Sequence, residues 1–120
     1  MKITLTRDFD FQAAHTLPGF PKDHKCTRVH GHTYQVSVST TGKVDTKTGI
    51  SCDHSKIAEI TRPIIAELDH QYLNDIPGLE NPSIELLAKW LWDKIQPKLN
   101  EISEITIRET PRASCTYRGD

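Results

Sequence analysis

The sequence predicts an α+β fold: an antiparallel four-stranded sheet with two helices on one face, in the order ββααββ. Three observations predict it. Strand-like alternation of apolar and polar residues runs through the first third of the chain, two stretches of helical periodicity fill the middle, and alternation returns near the C-terminus. Consecutive strands joined by short connections pair antiparallel, and helices that arrive as a block cover one face. At 120 residues the chain reads as one domain, 1–120, long enough to bury a core without disulfide staples.

Each element has its own signal. Ile3, Leu5, Phe9, Phe11 and Ala13 stand at alternate positions and predict a strand over about 2–14. Tyr34, Val36 and Val38 share a face in a second strand over 33–41, after which Gly42 and the segment 45–49 supply turn chemistry. Asp53 is a good N-cap for a helix whose stripe is Ile57, Ile60, Thr61, Ile64 and Leu68, with Pro63 inside it predicting a kink or restart. The stretch 69–82 reads as a loop through Asn74-Asp75 and Pro77-Gly78. A second helix opens at Asn81-Pro82, with Asn81 or Ser83 as cap and Pro82 at its first position. Ile84, Leu87, Ala88, Leu91 and Ile95 line its apolar face, and Pro97 closes it. Strands over 104–110 and near 114–118 finish the chain. Such a sheet has open edges, which oligomerisation would close.

Composition excludes some classes of function. The net charge is −1 and the 26% of charged residues are mixed, with no basic field for nucleic acid and no polybasic run for a membrane surface. No apolar run is long enough to span a bilayer, and MKITLTRDFDF lacks the apolar core of a secretion signal. Cys26, Cys52 and Cys115 cannot all pair, so the expected setting is reducing and cytoplasmic.

The histidines carry the chemistry. On a strand, His30 and His32 point the same way across Gly31, with Cα atoms about 6–7 Å apart. Both imidazoles can then reach one ion at about 2.0–2.1 Å. His15 is in phase with Phe9, Phe11 and Ala13, and it faces His30 and His32 if the two strands form a hairpin. Three imidazoles suit zinc better than calcium or magnesium, and three protein ligands with an open fourth position make a catalytic site. A second reading closes the site with Cys26 and makes the zinc structural; the spacing permits both. Cys26 lies in the long connection 16–29 beside His24, Lys25 and Arg28, positive neighbours that favour a thiolate acting as base or nucleophile near the metal. Cys52 and Cys115 read as spectators.

Two further positions have paired readings. Asp69-His70 is either an acid–base pair or a solvated helix end where a histidine meets the dipole. Glu109 shares a face with Ile105 and Ile107, and a buried carboxylate needs a partner. That partner is either a substrate edge with two adjacent N–H donors, such as a guanidine-like ring, or a salt bridge to Arg112 or Arg118.

Taken together, Phe9, Phe11 and Ala13-Ala14-His15, Cys26 with His30-Gly31-His32, Leu68-Asp69-His70 with Leu73-Asn74-Asp75, Glu80-Asn81-Pro82-Ser83 and Glu109-Thr110 resemble the 6-pyruvoyl-tetrahydropterin synthase family. The match covers nearly the whole chain. It is nearest the bacterial branch that makes 6-carboxytetrahydropterin for queuosine. The resemblance implies a tunnelling fold (T-fold), with two stacked trimers forming a homohexamer and active sites between subunits. It implies 7,8-dihydroneopterin triphosphate as substrate, with 6-carboxytetrahydropterin, acetaldehyde and triphosphate as products. His15, His30 and His32 would hold Zn2+, Cys26 would be the base, Asp69 and His70 its relay, and Glu109 the anchor of the pterin ring. The sister reaction, 6-pyruvoyltetrahydropterin synthesis, is the alternative. One stretch departs from the family pattern: Gly49-Ile50-Ser51-Cys52-Asp53-His54 stands where many members have an aromatic or Met and then Asp-Phe, which bears on substrate preference.

Overall fold

The structure, a computed structural model, describes residues 1–120. Strands β1 (Lys2–His15) and β2 (His30–Lys43) form a long antiparallel hairpin, from Lys2 opposite Lys43 to His15 opposite His30. Helices α1 (His54–Ala66) and α2 (Ile84–Ile95) follow, then β3 (Ile102–Thr110) and β4 (Ala113–Tyr117). The sheet order is β1-β2-β3-β4 and every pairing is antiparallel, as the alternation predicts.

One face of the sheet is apolar because the inward positions of each strand are. Phe11, Tyr34, Val36, Val38, Ile105 and Ile107 are buried there, and α1 packs over β1 while α2 packs over β3 and β4. Ile57, Ile64, Leu87, Leu91 and Ile95 complete the core from the helices. Each such side chain contributes roughly 1.5–3 kcal/mol by leaving water. Arg7 holds an inward phase on β1 where an apolar residue would be expected. It lies half-buried, and its Nη1 donates to Nδ1 and the carbonyl of His54 at the start of α1 (2.7 and 3.3 Å).

Four details differ from the sequence reading. β2 begins three residues earlier, at His30, because His30 and His32 continue the inward phase of Tyr34 with imidazoles instead of apolar groups. Near its other end the register shifts between Ser39 and Thr40, so two successive polar residues are buried. α1 runs unbroken through Pro63: the proline and Glu59, whose carbonyl loses its i+4 partner, are both exposed to water. Ser83, not Asn81, caps α2 by accepting from the Leu86 N–H, so Pro82 precedes the helix instead of opening it. The connection 69–82 contains a 3-10 turn (Leu73–Asp75) and is pinned to the core by fully buried Leu73 and Leu79.

Candidate metal centre

His15 ends β1 and His30 starts β2, so the register sets them opposite each other, with His32 two residues further along β2. The imidazole centroids are 4.5 Å (His15–His30), 5.1 Å (His15–His32) and 5.0 Å (His30–His32) apart. One ring nitrogen from each lies within 4.8 Å of the other two.

Backbone carbonyls fix two tautomers. Nδ1 of His15 donates to the Pro82 carbonyl (2.9 Å), and Nδ1 of His30 donates to the Arg28 carbonyl (2.7 Å). A carbonyl only accepts, so each Nδ1 carries the hydrogen and each Nε2 is left with a bare lone pair. The Tyr34 hydroxyl stands 3.2 Å from the same Nδ1 of His15, and burial raises its phenol well above the ordinary range. His15 is fully buried and its Nε2 has no protein partner, a costly state for a polar atom. A cation bound by the three imidazoles satisfies it, so the donor set fits zinc. Burial, the largest influence, holds His15 and His32 below the ordinary histidine value; for His15 the Pro82 carbonyl opposes it. Neutral imidazole is the form that binds metal.

Glu109 reaches the same place from β3. Its Oε2 is 3.8 Å from Nε2 of His15 and 3.5 Å from Nε2 of His32, too long for hydrogen bonds, and neutral rings make no ion pair. That oxygen is buried without a partner, and burial raises the carboxyl above its usual range. The salt-bridge reading of Glu109 is not met: Arg118 pairs with Glu104 (3.1 Å), and Arg112 makes no ion pair.

Cys26 shares a cavity of about 390 Å3 with the three histidines, Glu109, Leu17 and Lys25. A 3-10 turn (Lys25–Thr27) presents it; its carbonyl accepts from Leu17 N–H (2.8 Å), and its N–H donates to Nδ1 of His24 (3.1 Å). Its sulfur is not among the donors gathered within 4.8 Å, which favours an open site over one closed by cysteine.

Asp69 and His70 stand elsewhere in the chain. Asp69 Oδ1 accepts from Gln12 N–H (3.0 Å) and lies 3.0 Å from His70 Nδ1, while His70 N–H donates to the Gln12 carbonyl (2.6 Å). The pair is thus clamped on the free edge of β1. His70 has φ +59°, and its side chain is 75% exposed, lining a second cavity with Gln12, Ala14, His32 and Tyr72. Sequence reasoning pointed to the three histidines, Cys26 and Glu109, which the fold brings together, but missed Leu17, the Tyr34 hydroxyl and the carbonyls of Pro82 and Arg28. Backbone acceptors leave no residue-type signal; only the Glu80-Asn81-Pro82-Ser83 motif marked the place.

A three-histidine cluster that could hold a metal ion, at the end of a ββααββ sheet and beside a thiol and an unpartnered carboxylate, places the chain among T-fold proteins. More narrowly, the chain belongs to the 6-pyruvoyl tetrahydropterin synthase family, whose model matches residues 4–120. It is 33% identical to the 6-carboxy-5,6,7,8-tetrahydropterin synthase of Synechocystis, over 92% of this chain and 89% of that protein. It is 29% identical to the Bacillus subtilis protein of the same name, over 95% and 84%. The solved structure of Caenorhabditis elegans 6-pyruvoyl tetrahydropterin synthase superposes with a TM-score of 0.92 at 26% identity, covering 100% of this chain and 97% of that one.

Proposed function

We propose that the chain is a zinc-dependent 6-carboxy-5,6,7,8-tetrahydropterin synthase of queuosine biosynthesis, cytoplasmic, a single domain over 1–120, assembled as a homohexamer. It converts 7,8-dihydroneopterin triphosphate to 6-carboxytetrahydropterin, acetaldehyde and triphosphate. One observation carries the reading: the orphaned Nε2 of His15 faces the cavity that Cys26 and Glu109 also line. The names of the Synechocystis and Bacillus relatives support the choice of reaction.

His15, His30 and His32 hold the zinc, which when bound acts as a Lewis acid on the hydroxyls of the substrate side chain. The remaining work falls to the protein. Glu109 accepts the 2-amino and N3–H hydrogens of the pterin in a bidentate pair, giving its unpartnered oxygen the donor it lacks within the chain. Cys26, held over the same cavity, moves protons between ring and side chain. Asp69 and His70, which do not line the cavity of Cys26 in one chain, complete the relay across a subunit boundary, His70 exchanging protons with solvent and Asp69 orienting it.

The test is direct. Zinc-replete protein incubated with dihydroneopterin triphosphate should release acetaldehyde, and Cys26→Ala should keep its zinc while losing turnover by roughly 100-fold or more. Zinc-replete protein that releases none overturns the reading. The likeness to the Caenorhabditis protein keeps the pyruvoyl-forming reaction as a second reading; there triphosphate leaves without acetaldehyde, and product mass separates the two. A structural zinc closed by Cys26 would instead be lost in Cys26→Ala.

A further inference from the structure

Two motifs of the connection between the helices have no part in that mechanism, Leu73-Asn74-Asp75 and Glu80-Asn81-Pro82-Ser83, and both converge on His15. His15 is the last residue of β1 with a partner on β2, so the backbone just past it has no strand to hold it. Asn74 takes the place of that strand. Its Oδ1 accepts from Thr16 N–H (2.9 Å), and its Nδ2 donates to the Thr16 carbonyl (3.0 Å), so one carboxamide engages both backbone groups of the residue after the ligand. On the other side of His15, the Ala14 N–H donates to the Gln71 carbonyl (3.1 Å).

The same Nδ2 reaches the Glu80 carbonyl (3.3 Å), two residues before Pro82, whose carbonyl receives Nδ1–H of His15. Asn74 therefore touches both supports of the ligand: the backbone that carries His15 and the segment against which its ring leans. With a further contact from Nδ2 to the Thr16 hydroxyl (3.1 Å), four contacts from one planar group fix the amide's orientation, since a reversed amide would set an oxygen against two carbonyls.

We propose that Asn74 is a positioning residue of the metal centre, setting its affinity by holding backbone and ring of His15 together. The proposal rests on the three-histidine reading of the site. Groups that orient a metal ligand without touching the ion are worth about 10–100-fold in affinity. Glutamine has the same amide one methylene too far out, so a merely polar contact survives Asn74→Gln and a positioning one does not.

The experiment titrates the metal-stripped full-length chain with Zn2+ against a chromophoric chelator, and follows the Co2+-loaded form by visible absorption. Asn74→Ala and Asn74→Gln should each bind Zn2+ about 10–100-fold more weakly than the parent and give an altered Co2+ band. Ile102→Val, a core truncation at the opposite end of the sheet, should leave both readings unchanged. Parental affinity and spectrum in the Asn74 variants, or full recovery in Asn74→Gln, overturn the proposal. If Asn74→Ala does not fold, Asn74→Gln decides. A parent chain that binds no Zn2+ overturns the three-histidine reading itself, and the assignment of Asn74 falls with it.

Discussion

Glu109 has a buried oxygen that finds no hydrogen-bond partner within the chain, and burial already disfavours its charge. A ligand with two parallel N–H groups relieves both conditions at once, because bonds to the ionised form stabilise that form. Glutamine is isosteric but presents one acceptor and one donor, so a donor of the ring then meets a donor of the protein. Losing a charge-assisted bond costs roughly 1.5–3 kcal/mol, which is about 10–100-fold in KM. Glu109→Gln should raise KM for dihydroneopterin triphosphate by that factor with zinc content unchanged, as steady-state kinetics and metal analysis would show. An unaltered KM would remove Glu109 from the ring-binding role.

Elements decide how these residues meet, and the clamp on β1 is an example with a pH signature. The Gln12 N–H, first, and then His70 hold the Asp69 carboxyl below its ordinary value. A carboxylate favoured in the folded state contributes stability above its unfolded value, near 3.9, and loses it as pH falls through the lower folded value. Asp69→Asn should therefore melt at a lower temperature than the parent at neutral pH. The gap should close only as pH drops below about 4, measured by thermal scans from pH 7 to 3. A gap independent of pH would mean that the ionised carboxylate is not what the clamp uses. That clamp was invisible in the sequence, whereas the strands and helices were not, because periodicity reports one face of one element. Tyr34, Val36 and Val38 declare β2, but His30 and His32 extend its inward phase with polar rings that an apolar count passes over. Pro63 and Pro82 misled in the same way: a proline's effect depends on whether its neighbourhood is wet or already capped, and neighbours in space are not written locally. The histidine triad was legible because strand phase aligns His15, His30 and His32, while a relay was not, because His70 and Cys26 line different cavities of one chain.

At the scale of the molecule, the chain is elongated for its length. Its extents are 59 × 24 × 24 Å and its radius of gyration is 15.7 Å, against about 13 to 14 Å for a compact domain of this size. Its accessible surface of 7400 Å2 likewise exceeds the roughly 6600 Å2 of a compact monomer of equal mass. The uncovered sheet face is not a place to bury that excess. It carries cross-strand polar pairs that are already satisfied: Thr4–Thr41, Asp8–Ser37 and Thr106–Thr116, which stay wet, and Thr6–Ser39, which is part-buried. The edges remain. On β1 the segment 70–74 covers only the last part, through Gln12, Ala14 and Thr16, which shows that even-numbered residues turn their backbone groups outward. Thr6 therefore presents its N–H at the free edge, and a proline there removes an outward donor without breaking the β1–β2 ladder. If subunits join through this edge, light scattering should give the parent a mass six times the 13.6 kDa chain and give Thr6→Pro a smaller assembly. Zinc should be retained in that variant, since its three ligands come from one chain, but acetaldehyde release should fail because Cys26 would no longer meet Asp69 and His70. Thr6→Pro that stays hexameric and active would place the joint elsewhere, and loss of assembly with full activity would return the relay to a single subunit.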